Sequence, residues 1–199
     1  MTPGSCPDRP AGRIAGVSAP TIWTIGHWTC PRDVFLRPLD EAGTELVADV
    51  RSLPGSRRSP QFDREQMPTW LADDGIDYVH LAELGGRRRK QPVDPALNAG
   101  WENASFRNYA DYTLSDEYRA GIDRLTGLAR ERRVAILCGE PMPWRCHRSV
   151  IANTLTAAGW QVWHLFTDGR PRLHELGQWG ATPVVADDGR ITYPRVSPS

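Results

Sequence analysis

Five short apolar runs, separated by segments long enough to be helices, constrain this chain more than any other feature. They are TIWTIG (21–26), TELVADVR (44–51), IDYVHL (76–81), RRVAILCG (132–139) and WQVWHLF (160–166). Short runs rich in β-branched and aromatic residues, bounded by Gly or polar clusters, read as buried strands. Between them, PRDVFLRPLDEAG (31–43) opens on Pro, closes on Gly and sets Val34, Phe35 and Leu39 on one face. That is a helix, shortened or kinked at Pro38. DREQMPTWLADDG (63–75) carries an Asp cap and a Gly stop. From about Ser115 to Glu131 the apolar positions Tyr118, Ile122, Leu125 and Leu128 recur at helical spacing. CHRSVIANTLTAAG (146–159) is the last helix. Strict alternation of this kind implies an α/β domain: a doubly wound, mostly parallel sheet of about five strands with helices on both faces.

The domain is expected over residues 21–166. Residues 1–20, rich in Pro and Gly and poor in large apolar side chains, read as a flexible leader. Residues 167–199 form a C-terminal extension in which Asp188–Gly189 sits between apolar runs, a hairpin signal. The formal net charge is zero, which excludes a globally basic nucleic-acid coat but not a local basic patch. No apolar run is long enough for a bilayer and the start has no signal-peptide core, so the expectation is a cytoplasmic protein without a membrane partner. Four cysteines in 199 residues do not make a disulfide scaffold, and no CxxC marks a zinc ribbon. There is no GxGxxG, Walker loop or HExxH, so NAD, ATP-dependent and zincin chemistry draw no support and the cofactor stays unknown.

In open α/β sheets, ligands bind beyond the carboxyl ends of the strands. Four polar clusters fall there: Gly26-His27-Trp28, Asp49 to Ser52, His80 to Gly86, and Cys138 to Arg148.

The stretches TIGHW, LVADVRSLPGSRRSPQF, GIDYVHLAELGGRR, FRNYADY and ILCGEPMPWRCHRSVIANTL, in this order, resemble the successive motifs of the domain of unknown function 488 family, from about Thr21 to Leu165. The family is largely uncharacterised, so the resemblance implies an α/β fold and a site but no reaction. It places Gly26, His27, Asp49, Arg51, Pro54, Arg57, Glu83, Gly85, Gly86, Cys138, Glu140, Cys146, His147 and Arg148 in that site. Gly139 stands where the family more often has Ala.

Each cluster has a chemical and a plain reading. Cys138 at a strand end, with Cys146-His147-Arg148 opening a helix, describes an anion-binding or nucleophilic loop. A helix start attracts anions, Arg145, Arg148 and His147 add donors, and the same field lowers a thiol's pKa. Otherwise Cys138 is a small core residue and Cys146 fills a cap position. The layout is like that of rhodaneses and cysteine phosphatases, but Arg145 is one residue too far along, and Pro141 and Pro143 remove two N–H donors. Asp49 is a general base or an ion-pair partner of Arg51; Arg51, Arg57 and Arg58 bind phosphate or carboxylate, or lie in a solvated loop. Glu83 beside Gly85-Gly86 is a carboxylate next to a close-approaching backbone. His27 and Glu140 are candidates for proton transfer. Arg87 to Lys90 is a polyanion contact or a solvated run. WENASFRNYADY (101–112) reads as a lid over the site, with a helix that packs its aromatics onto the domain and base stacking as the other options. Among His80, Cys138, Cys146 and His147 only the adjacent Cys146-His147 come close in sequence, and neighbours rarely ligate one ion, so no metal is assigned.

The combined expectation is an enzyme, a hydrolase or transferase, acting on an anionic small molecule, phosphorylated or nucleotide-like. A non-catalytic nucleic-acid or nucleotide binder and a metal- or redox-linked cysteine site are the alternatives.

Overall fold

The computed structural model describes residues 19–55 and 58–195. Most of the expected leader, with Cys6, and Arg57 lie outside these residues. The central sheet is built from β1 (Thr21–Gly26), β2 (Leu46–Asp49), β3 (Asp77–His80), β4 (Val134–Cys138), β5 (Gln161–His164) and β6 (Arg172–Leu173). Their order is β3-β2-β4-β1-β5-β6. The first five pair in parallel, and β6 closes one edge antiparallel to β5. The sheet is the expected doubly wound one with one strand more. The extra strand comes from the C-terminal extension.

Five helices complete the fold: α1 (Arg32–Glu41), α2 (Met67–Asp73), α3 (Ala104–Tyr112), α4 (Asp116–Glu131) and α5 (Arg148–Ala157). Strand side chains alternate between two cores. Val47, Ala135 and Leu137 face Phe35 and Leu39 of α1 and Trp70 and Leu71 of α2. Leu46, Ala48, Val134 and Ile136 face Ile122 and Leu125 of α4 and Ile151 and Leu155 of α5. The first two connections step one way along the sheet with their helices on one face. The later ones step back with their helices on the other face, as right-handed crossovers require.

Two local expectations change and a third holds. α2 begins at Met67, four residues later than expected, after a turn in which the Asp63 carbonyl accepts the N–H groups of Gln66 and Met67 at 2.9 Å each. The aromatic stretch 101–112 is not a lid. It holds α3, capped by the Asn103 side chain, with Trp101, Tyr109 and Tyr112 all buried in the core. Aromatic side chains packed this deeply offer no face to a base. The Asp188–Gly189 hairpin is present as β7 (Val184–Val185) and β8 (Ile191–Thr192). It returns Tyr193, fully buried, to the α4/α5 core. Among the described residues no helix is long and apolar enough to cross a membrane.

Candidate functional site

β1 lies between β4 and β5, yet its connection leads to α1 on one face while that of β4 leads to α5 on the other. The loops therefore part between β1 and β4. A crevice of about 320 Å³ opens there, enough for a small ligand. Its walls come from the loops after four strands: His27 and Trp28, Arg51 to Leu53 with Arg58 and Ser59, Gly86 and Arg87, and Cys138 to Glu140 with His147.

One wall is held by a buried ion pair. Asp49 is fully buried and takes Nε of Arg51 at 2.9 Å and Nη2 at 2.6 Å, plus the Tyr78 hydroxyl at 2.7 Å. Arg51 also donates to the Phe62 carbonyl at 2.8 Å and, through Nη1, to Nε2 of His27 at 3.0 Å. The other ring nitrogen of His27 faces the Trp28 carbonyl at 2.5 Å. A carbonyl only accepts, so Nδ1 carries the proton and Nε2 offers its lone pair to Arg51. Burial first, then the Arg51 charge, pull the His27 pKa down to about 4. These bonds correct three expectations. Asp49 is fully buried and bonded to Arg51 and Tyr78, the ion-pair reading and not that of an exposed base. The lone pair of His27 is committed, so it is not a free proton carrier. Arg51 lines the crevice, but most of its donors are committed to the protein.

The other wall holds sulfur. Cys138 ends β4, in register with Gly26 of β1. Cys146 and His147 precede α5 and bring Sγ of Cys146 to 3.6 Å and Sγ of Cys138 to 3.9 Å from Nδ1 of His147. Nε2 of His147 donates to the Val50 carbonyl at 3.1 Å, which directs Nδ1 at both sulfurs. Tyr109 meets the ring edge-on at 5.0 Å between centroids. Any Cβ on Gly86 would collide with the His147 ring, and one on Gly85 would come within 2.6 Å of Ser52 Oγ. The glycine pair thus serves close backbone approach, as its sequence suggested.

Arg148 lies directly behind the sulfurs, 1% exposed. Nε donates to Sγ of Cys146 at 3.4 Å, Nη1 to Thr24 Oγ1 at 3.3 Å, and Nη2 to the carbonyls of Glu140 at 2.5 Å and Pro141 at 3.2 Å. Among the described residues, no carboxylate is one of its partners. Burial opposes ionisation of Cys146, but a hydrogen bond from Cys138 and the charges of His147 and Arg148 outweigh it and hold the Cys146 thiol well below its usual range. Cys138, which donates that hydrogen bond and is itself buried, is pushed well above. The pair thus favours a thiolate on Cys146, beside Arg148, over one on Cys138.

The expected anion cradle at this helix start is corrected as well. Arg148 is a buried strut of the 139–147 loop and does not line the crevice. The N–H groups of Ser149 and Val150 bond within the turn to Cys146 and His147 at 3.0 Å each. Arg145 is exposed on a short 3-10 turn away from the crevice. Glu83 pairs with Arg124 of α4 at 3.0 Å, outside the crevice. Arg88 covers the Tyr112 ring at 3.7 Å and bonds loop carbonyls, so the basic run is partly structural. Glu140 does reach the wall.

Sequence reasoning undervalued Trp28. It lines the crevice with 56% of its surface exposed and sits at φ +44, the one non-glycine residue with positive φ among those described. Its carbonyl takes bonds from His27 and from Ser59 Oγ at 3.2 Å, and its N–H bonds Gly139 at 3.0 Å. Such strain collects at functional sites and follows from tertiary bonds, which no local pattern displays.

A second buried chain reaches the sulfurs from the C-terminal extension. Nε2 of His174 donates to Asn153 Oδ1 at 2.9 Å, so Nδ1 of His174 accepts from Nε2 of His164 at 3.0 Å. Nδ1 of His164 then accepts the Thr24 hydroxyl at 2.7 Å, and Thr24 in turn accepts from Arg148. Burial lowers the pKa of both rings, that of His174 to about 4 and that of His164 to about 2.

With the fold and the crevice in view, comparison gives the class. Residues 31–155, more than half of the chain, match the family model described as Domain of unknown function DUF488, and the chain belongs to that family. No curated protein and no solved structure matches it.

Proposed function

We propose that this protein is an enzyme, a hydrolase or transferase, that takes an anionic, phosphorylated or nucleotide-like substrate into the crevice and acts on it at the Cys138–Cys146–His147 cluster. The observation that carries this reading is that Cys138 and His147 of the cluster and the basic side chains Arg58 and Arg87 line one crevice at the point where the loops diverge. Arg87 is exposed and Arg58 sits across the same opening, so charge-assisted bonds to an anion form at the mouth. The exposed Trp28 indole gives a planar group a surface to stack on. Cys138 and His147 then stand deeper in, where the reacting atom would lie.

Calorimetric titration with inorganic phosphate, pyrophosphate and adenosine monophosphate tests the reading. A double Arg58→Ala/Arg87→Ala variant should lose about tenfold or more in affinity, since a hydrogen bond to a charged group contributes about 1.5–3 kcal/mol. Equal affinity in the variant, or no binding of any anion, would remove the proposal. A long polyanion that binds with a steep salt dependence and without turnover would favour nucleic-acid binding instead.

A further inference from the structure

Three soft donor atoms from two parts of the chain meet at the back of the crevice. Sγ of Cys138, Sγ of Cys146 and Nδ1 of His147 all lie within 4.8 Å of one another. Their S···N separations are 3.9 and 3.6 Å. A tetrahedral zinc ion, with bonds of about 2.3 Å to sulfur and about 2.05 Å to nitrogen, holds such donor pairs about 3.6 Å apart. The donors therefore stand close to ligand spacing. Spacing in the sequence hid this, because Cys138 is delivered by a strand end and the other two by the start of a helix.

The surroundings are those of a ligand set. A zinc-binding histidine commonly donates its second ring N–H to a carbonyl or carboxylate, and His147 does so to Val50 at 3.1 Å. The Arg148 Nε–H on Sγ of Cys146, at 3.4 Å, is the kind of bond that fixes a ligating thiolate. Cys138 and His147 line the crevice, whereas Cys146 is buried behind them. Three protein ligands on the inner side leave a fourth tetrahedral position towards the open space. Catalytic zinc sites have that composition, and structural ones are closed by four protein ligands.

We propose that Cys138, Cys146 and His147 form a zinc site whose fourth position opens into the crevice and holds water or an oxygen of the substrate. The identity of that fourth ligand rests on the anion reading above; the metal site itself stands on donor geometry. Both sulfurs bind as thiolates and His147 binds as the neutral ring through Nδ1. Loading therefore releases to solvent every proton that the two thiols and Nδ1 of His147 carry, and involves no change of oxidation state. Zn²⁺ and two thiolates sum to zero, and Asp49 neutralises Arg51, so the loaded centre keeps the positive charge of Arg148 and suits an anion. Thiolate and imidazole donors select zinc over magnesium or calcium. A zinc ion there would polarise a substrate oxygen or lower the pKa of a bound water.

The test is a titration of Co²⁺ into the reduced, metal-free, full-length protein, read by its sulfur-to-cobalt charge-transfer absorption and by the intensity of its d–d bands. One equivalent should give a tetrahedral thiolate spectrum, and Zn²⁺ should displace it. Cys138→Ser and His147→Ala should each weaken binding by more than the about 10–100-fold that losing a supporting group costs. Cys30→Ser should leave it unchanged. Circular dichroism confirms that Cys138→Ser, a near-isosteric change at the crevice wall, keeps the fold. Absence of a tetrahedral spectrum, or one that survives Cys138→Ser at full affinity, would overturn the proposal. The Arg58→Ala/Arg87→Ala variant separates the two readings. Cobalt bound normally there with pyrophosphate affinity unaltered upholds the zinc site and removes the anion reading. Weakened pyrophosphate binding with no cobalt bound by either protein does the reverse.

Discussion

Arg51 and Arg148 are two buried guanidinium groups beside one crevice, and their environments differ in the partner that balances each charge. Arg51 meets the Asp49 carboxylate through Nε and Nη2, and Tyr78 supports the pair. Arg148 has carbonyls, a hydroxyl and Sγ of Cys146, and no carboxylate. A buried cation needs a counter-charge or a very costly desolvation goes unmet. On the Arg51 side the counter-charge is permanent and closed off by side-chain hydrogen bonds, so that wall is scaffold. On the Arg148 side it is a sulfur whose neighbour, Cys138, forms part of the crevice wall. Under the proposed function, the chemistry lies with the charge whose partner is a thiol.

Removing either arginine should have the largest effect. Arg148→Met and Arg51→Met should each cost about 3–5 kcal/mol in denaturant unfolding, as broken buried pairs do. The two should then part. Adding Asp49→Asn to Arg51→Met restores much of the loss, because the stranded carboxylate is gone. No carboxylate substitution rescues Arg148→Met, because none faces it.

Acid should come next. His27 keeps a pKa of about 4 in the native protein against an ordinary 6.5, from burial and then from Arg51. The unfolded chain takes the proton first as pH falls, so this contribution is complete above pH 6.5 and is lost between 6.5 and 4. It amounts to about 3 kcal/mol. Thermal melts across that range check it. His27→Gln, which keeps an acceptor for Arg51, should remove this share of the slope while the His174 share stays.

Gly86→Ala, which drives a methyl group into the His147 ring, should cost about 2 kcal/mol, the usual range for overpacking, and should turn His147 away from the sulfurs. The smallest effect is at Trp28. Its φ of +44 is strained for a side chain, so Trp28→Gly should raise stability by about 1 kcal/mol. The same change should weaken binding of a nucleoside monophosphate more than of inorganic phosphate, measured by calorimetry.

Much of the fold was legible in the sequence, because strand and helix periods report burial directly. The five runs became the five parallel strands, and the strand-end clusters met where such sheets bind ligands. At α3 the lid reading was preferred over a packed helix, because nothing in the order of Trp101, Phe106, Tyr109 and Tyr112 shows their burial. β6 is two residues long and exists only through pairing with β5. Within the site, Cys138, Glu140, His147 and Gly86 could be read from the chain. The roles of Arg148, Glu83 and His27 could not, since a sequence does not say whether a guanidinium points into a crevice or away from it, nor which ring nitrogen already has a partner.

Alkylation by iodoacetamide, mapped by mass spectrometry on the reduced, metal-free protein, tests most directly the claim that the crevice opens on a reactive sulfur centre. The Cys138–Cys146 pair should be labelled, and added pyrophosphate or Zn²⁺ should protect it while Cys30 labels at an unchanged rate. A pair that stays inert in the folded protein, or that labels at one rate whether or not anion and zinc are present, would contradict the account.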